Sequence, residues 1–271
     1  MSRFTLTTII AIIAGCLTLI VPGRAASLMA LAGVWLIYLS ICAIGMGRIR
    51  VQFYCPAICR GPVGHRRVAL TFDDGPDPNS TPAVLDLLNR EKISAAFFCI
   101  GKNVDAYPQL AARIVAEGHL LENHTYNHPW WISCLTSRPL TDEMARTQQS
   151  IQQATGITPR YFRSPAGLTN HHFPKALRRS GLTLVGWDVR PFDTSRNSKD
   201  VIDRILRKTR DGSIILLHDG GMPAQQITSI VIAAIAKLRA RGLEFERLDR
   251  LIEHPAGSAT KETTQISGSV A

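Results

Sequence analysis

Two long stretches open the chain without a charged residue, one from Phe4 to Gly23 and one from Ala25 to Gly47. At ~1.5 Å per helical residue, each is about long enough to cross a hydrocarbon layer of ~30 Å. Neither has the polar face that a soluble helix needs, so both read as membrane-spanning helices rather than a buried hairpin. Pro22-Gly23-Arg24 between them reads as a tight turn, and residues 1–50 are predicted to form a transmembrane helical hairpin. Arg3 and the small residues Gly23 and Ala25 also sketch a cleaved signal, for which Pro22 and Arg24 make a poor site.

After a connector bearing Pro and Gly, Val51 to Gly64, the pattern shortens. Apolar runs of strand length lie at Val68–Phe72, Ala95–Ile100, His119–Glu122, Tyr161–Arg163, Thr183–Trp187, Ser213–Leu217 and Glu244–Arg247. Helical stretches separate them at Thr81–Glu91, Tyr107–Glu117, Thr141–Thr155, His172–Ser180, Lys199–Lys208 and Ile227–Arg241. Thr141 is the expected N-cap of its helix, and Gly156, Gly181 and Gly242 the stops of theirs. This alternation predicts an α/β domain over residues 62–254 with a mainly parallel sheet, open or closed as a barrel. Residues 255–271, rich in Ser, Thr and Gly, are predicted to be a disordered tail.

The 271 residues carry a net charge of +10. The basic residues are dispersed and do not interleave with aromatic ones as a stacking platform would require, which argues against nucleic acid. A local cluster, Arg48, Arg50, Arg60, Arg66 and Arg67, follows the second apolar run. Anionic lipid headgroups account for that cluster, and the positive-inside bias places the main domain on the cytoplasmic side of a bacterial-type inner membrane, as a multi-pass protein. The periplasmic side is the alternative, if the second run lies in the membrane surface instead of crossing it. Cys55 and Cys59 lack a second Cys/His pair at finger-like spacing, so free thiols are expected.

Five stretches at strand ends carry the chemistry. Thr71-Phe72-Asp73-Asp74-Gly75-Pro76 sets two adjacent carboxylates where the first strand opens into a turn. Two uncompensated acids at the rim of a core repel each other and lose hydration, which a cation or a proton-transfer role resolves. His124 and His128 stand four apart, one helical turn, a spacing that lets two imidazoles point to the same side and reach one ion. With Asp74 they complete a two-His, one-carboxylate set that leaves positions open for water and substrate. The apolar run before His218 delivers that side chain to a strand end, as a candidate general acid. Arg163, between a strand and the Ser164-Pro165-Ala166-Gly167 turn, can hold a carboxylate. Asp188 and Asp193, in the stretch from Trp187, are both candidates to orient His218.

These motifs, in this order, resemble the polysaccharide deacetylase family, also called the NodB-homology or carbohydrate esterase family 4 domain. The resemblance covers about Arg67 to Arg247. It implies a distorted (β/α) barrel of about seven strands and a metal-dependent hydrolase that removes N-acetyl groups from an amino-sugar glycan or a lipid-linked sugar. By resemblance, Asp73 is the base and Asp74, His124 and His128 bind the metal. Arg163 braces the base, and His218 is the acid with Asp193 or Asp188 as its partner. Leu216 lines the acyl-methyl pocket, Trp187 is an anchor, and the Ala166 N–H serves the oxyanion. Zinc is the expected ion, with cobalt or nickel as alternatives. The expected partners are an N-acylated amino sugar and membrane lipids. A deformylase or deacylase of a lipid-linked amino sugar and an inactive sugar-binding module are the other readings. Two positions depart from the family pattern: Ala166 stands where an aromatic is usual, and Arg190 and Thr194 alter the Asp-x-x-Asp-Trp motif.

Overall fold

The computed structural model describes residues 1–253; the predicted tail at 255–271 lies outside the described residues. Helix α1 (Arg3–Leu17), extended by a 3-10 turn at Thr18–Ile20, and α2 (Arg24–Gly47) run side by side. Thr8 Oγ1 lies 3.0 Å from the Tyr38 hydroxyl, and the Gly15 backbone faces Leu31. Large apolar side chains such as Ile10, Met29 and Leu36 are exposed. The spans Arg3–Ile20 and Arg24–Gly47 are long and apolar enough to cross a membrane.

Both ends of this hairpin are tied to the rest of the chain. The Phe4 N–H donates to the Phe53 carbonyl at 3.1 Å, and the Thr169 N–H donates to the Met46 carbonyl at 3.1 Å. The Tyr54 hydroxyl donates to the Cys42 carbonyl, and the Phe4 ring stacks on His171 at 5.4 Å. The connector is docked rather than loose. Ile49, Phe53, Tyr54, Cys55 and Ala57 are buried, and Ile58 and Arg60 bridge to Val185 and Ser213. Its apolar side chains cover one end of the main domain, which a polar linker would leave open.

The main domain alternates strands and helices: β1 (Arg67–Asp73), α3 (Thr81–Glu91), β2 (Ala96–Cys99), α4 (Gly101–Ala106), α5 (Pro108–Ala116), β3 (Leu120–Asn123), α6 (Ser137–Thr155), β4 (Tyr161–Phe162), α7 (Phe173–Ser180), β5 (Thr183–Leu184), α8 (Ser198–Lys208), β6 (Ile214–His218), α9 (Ala224–Ala240), β7 (Glu244–Phe245) and α10 (Leu248–Glu253). The strands pair in parallel in the order β5-β4-β3-β2-β1-β6, with β7 beside the start of β1. Beyond β5 the chain curls round to meet β6 through a single bridge, Val189 to Ile215. The result is the distorted parallel barrel that the alternation and the family resemblance imply.

Two expectations are corrected. Helix α6 begins at Ser137 with Thr136 as its N-cap residue, so Thr141 lies inside the helix, where its hydroxyl donates to the Ser137 carbonyl. Pro139 suits a first turn, but the polar Ser137–Arg138 pair gives no apolar signal there. The short helices α4 and α10 were also not predicted, since six residues carry too few apolar positions to show a period.

Strand β1 sorts its side chains strictly by the two-residue period of a strand. Val68, Leu70 and Phe72 join the large core beneath the outer helices. Ala69, by contrast, packs in the barrel interior with Phe98, Trp187 and Leu216. Asp73 falls on the same side as Ala69 and Thr71 and so enters the barrel mouth. Parallel register then sets Asp73 opposite His218 and Asn123, the residue before His124, opposite Phe162, the residue before Arg163. All four strand ends that carry chemistry open on one rim.

Candidate active site

Asp73 and Asp74 follow one another yet share one cleft. The strand alternation would turn them apart, but Asp74 adopts a left-handed backbone, with φ of 73°. That conformation is costly for a non-glycine residue and gathers at functional sites. Gly220 makes it feasible: a Cβ there would overlap the Asp74 carbonyl.

Asp73 is buried against a fully buried arginine. Arg163 Nη1 donates to Asp73 Oδ1 at 2.7 Å and to Thr71 Oγ1 at 2.7 Å, and Nη2 donates to the Gly186 carbonyl at 3.1 Å. The guanidinium lies 4.0 Å over the Phe98 ring. Arg163 is thereby fixed, and it fixes one carboxylate oxygen of Asp73. The other oxygen lies 3.8 Å from His124 Nε2.

His124 and His128 come together through a loop, not a helical turn. Thr125 and His128 both have positive φ, 65° and 53°. The Thr125 N–H donates to Asn123 Oδ1, and the His128 N–H donates to Thr125 Oγ1. Glu143 on α6 accepts from the N–H groups of Tyr126 and Asn127 at 2.9 and 2.8 Å. His124 Nδ1 lies 2.7 Å from the Arg163 carbonyl. A carbonyl only accepts, so Nδ1 carries the hydrogen and Nε2 is left with its lone pair toward the cleft.

Asp74, His124 and His128 meet the requirement for a cation. Asp74 Oδ1 is 3.3 Å from both His124 Nε2 and His128 Nε2, is buried, and accepts no hydrogen bond of adequate geometry. Three ligand atoms within 4.8 Å of one another converge there. Ligands at ~2.0–2.1 Å on the corners of a tetrahedron stand ~3.3 Å apart, so this spacing suits a zinc-sized ion. The electrostatics point the same way. Burial disfavours charge on Asp74, yet the two imidazoles outweigh it and bring its pKa down to about 2. Burial likewise opposes protonation of His124, but Asp73 and Asp74 outweigh it and raise the pKa. The cleft is short of positive charge.

On the opposite wall, His218 Nδ1 meets Asp193 Oδ1 at 2.9 Å, while the His218 N–H donates to Asp193 Oδ2 at 2.7 Å. Asp193 thus holds both ring and backbone. Burial pushes the imidazole pKa down, but the Asp193 bond and charge prevail and raise it to about 9. Asp188 is engaged elsewhere, accepting from Ser213 Oγ and the Ile214 N–H, both at 2.9 Å. Of the two candidates, Asp193 is the one that touches His218.

Asp73, Asp74, His124, His128, Ala166, Trp187, Leu216 and His218 all line a cleft of about 160 Å³, which Arg190 and Thr194 border as well. Ala166 is left-handed, with φ of 52°, and its N–H donates to no group among the described residues. The Trp187 ring lies against Gly167, where a Cβ would meet it at 2.7 Å.

Asp219, directly after His218, was not singled out by the sequence. It is fully buried behind the Asp74–Pro76 turn and accepts from Thr81 Oγ1, while its backbone N–H donates to the Asp73 carbonyl. Burial raises its pKa to about 7, against the pull of the Thr81 bond. Glu143, which holds the two-His loop, and the exposed pair Trp130–Trp131 beyond His128 were not singled out either. No local pattern marks Glu143, because its partners are main-chain groups of a distant loop. The Trp-Trp doublet after the second histidine was a visible signal.

Comparison with known proteins agrees with this geometry. The family model described as polysaccharide deacetylase matches residues 60–185. A chitooligosaccharide deacetylase of Bradyrhizobium sp. (strain ANU 289) is 36% identical over 201 residues, which is 69% of this chain and 91% of that protein. The solved structure of the Bc1960 peptidoglycan N-acetylglucosamine deacetylase superposes with a TM-score of 0.69 at 28% identity, over 73% of this chain and 94% of that one. BA3943 of Bacillus anthracis, a pseudoenzyme of the CE4 family, superposes at 0.67 with 26% identity, over 72% of this chain and 68% of that one. The chain belongs to the polysaccharide deacetylase family, hydrolases of the carbon–nitrogen bond in N-acetyl sugars.

Proposed function

We propose that this protein is a metal-dependent N-deacetylase of an N-acetylglucosamine-type amino sugar, carried in a glycan or on a lipid. The observation that carries this reading is the division of labour between adjacent acids. Asp74 Oδ1 converges with two imidazoles, while Asp73 is held by Arg163 at 2.7 Å and left to move a proton. A likeness in fold does not itself imply activity, since a pseudoenzyme shares it; the assembled set of residues does the arguing.

A divalent cation held by Asp74, His124 and His128, zinc by preference for this donor set, would polarise the acyl oxygen and acidify water. Asp73 accepts the proton of the water that attacks the acyl carbon. The Ala166 N–H donates to the oxygen on which charge develops. Leu216 borders the space beside the acyl carbon, and Trp187 walls the cleft. His218 donates a proton to the departing nitrogen as the carbon–nitrogen bond breaks, which leaves a carboxylate and a free amine. The hairpin is membrane-embedded with the domain on the cytoplasmic side, a placement that favours a carrier-bound or oligomeric sugar over finished cell wall.

The test is acetate release from an N-acetylated chitooligosaccharide by zinc-loaded full-length protein. Asp73→Asn should lower turnover by about 10²–10⁴-fold with the metal retained, and His124→Ala should lose both metal and turnover. Full activity in Asp73→Asn would remove the assigned base.

A further inference from the structure

A second cavity of about 360 Å³ adjoins the catalytic cleft. The two share Ala166, Trp187 and Arg190 as common walls. The far side of the second cavity is built by Gly47 to Val51, the residues on which α2 ends. It therefore lies between the reacting centre and the exit of the hairpin.

Four arginines line this cavity: Arg48, Arg50, Arg190 and Arg204. None of them has a carboxylate within 4.0 Å among the described residues. The one acid in the wall, Asp188, is engaged by Ser213 and the Ile214 N–H, with Arg60 at 3.9 Å. Arg190 Nε is buried and makes no hydrogen bond. The Arg190 guanidinium is 5.5 Å from the Trp187 ring and 5.1 Å from the Phe192 ring. Arg196 and Arg204 approach the same Phe192 ring at 5.6 and 4.9 Å. Phe192 itself has a left-handed backbone, with φ of 64°. Three like charges gathered on one strained aromatic residue, with no carboxylate on any of them among the described residues, repel one another. A bound anion relieves that repulsion.

We propose that this cavity binds the phosphate of a phosphorylated amino-sugar substrate, so that the sugar's N-acyl group enters the catalytic cleft while its phosphate rests among the arginines. The assignment rests on the N-deacetylase reading of the adjoining site. Forked guanidinium groups match phosphate oxygens in pairs, and the stacking on Trp187 and Phe192 fixes Arg190 before the ligand arrives. A phosphate ester of an amino sugar arises on a lipid carrier or on a soluble nucleotide. The cavity abuts the end of α2, which favours the lipid carrier.

The experiment uses full-length, zinc-loaded protein in nanodiscs and measures inorganic phosphate binding by calorimetry, beside turnover. Arg48→Gln/Arg204→Gln is expected to weaken phosphate binding by about tenfold or more. The ratio of kcat/KM for a phosphorylated over a neutral N-acetylated sugar is expected to fall by a similar factor. Phosphate that binds the double variant as tightly as the wild type sits on the metal and overturns the proposal, as does an unmoved ratio. Arginine-dependent phosphate binding without acetate release from any sugar keeps the anion site and strikes down the deacetylase reading instead. N-acetylglucosamine diphosphate linked to a polyprenol, compared with a nucleotide-linked N-acetylglucosamine, then identifies the source by the higher kcat/KM.

Discussion

At the scale of single residues, the pair His218–Asp193 is expected to set the pH range of the proposed chemistry. His218 must be protonated to serve as an acid, so activity is lost as pH rises through its pKa. Asp193 holds that value at about 9 against the opposing effect of burial. Asp193→Asn removes the charge but keeps an oxygen for the backbone N–H. The alkaline limb of kcat against pH should then move down toward the ordinary histidine value near ~6.5, and an unmoved limb would sever the pair from the reaction. Most of this site was legible in the sequence because its motifs are local: two acids before Gly-Pro, two histidines four apart, one histidine after an apolar run. What was not legible depends on residues distant in the chain. The choice between Asp188 and Asp193 turns on how the chain folds back beyond β5, and the burial of Asp219 on the approach of Thr81, the first residue of α3, to the end of β6.

At the scale of elements, the start of β3 is stapled to β2 by a histidine with no part in the cleft. His119 Nδ1 accepts from the Ala95 N–H at 3.1 Å, and the ring meets Phe97 edge-on at 5.5 Å. Burial lowers its pKa to about 4, more than the nearby Glu117 can offset. The folded protein therefore keeps this ring neutral at a pH where the unfolded chain takes up a proton. Stability from this group is complete above about pH 6.5 and is lost as pH falls toward 4, by up to ~3 kcal/mol. His119→Gln should flatten that slope in thermal midpoints measured between pH 4 and 7, and an unchanged slope would show that His119 does not set it. The strands were readable from their apolar runs, and so were most helices from their period. The start of α6 was not, because a polar first turn carries no hydrophobic mark.

At the scale of the whole molecule, the hairpin and the domain behave as neighbours on one side. The N-terminal end of α1 and the C-terminal end of α2 both contact the region around Phe53, Tyr54 and residues 169–171. A reporter active only in the cytoplasm, fused at the C-terminus, should be active, as should one fused before Met1. Reporters active only outside would reverse the orientation proposed for the domain. The parallel sheet was legible from the alternation of strand and helix, and its curling into a barrel only from the family resemblance. The docking of the connector was not, because no periodicity announces which surface a short apolar segment will cover.

The two tethers at Phe4 and Met46 leave almost no slack between the hairpin and the barrel. An enzyme on a long flexible leader samples a volume; one seated this closely samples an area. With the hairpin embedded, the cleft stays at a nearly fixed height above the bilayer. The carrier-bound sugar proposed as substrate would then find it by sliding laterally, in two dimensions rather than three. For the lipid-linked substrate proposed, the quantity that governs encounter becomes surface density rather than bulk concentration.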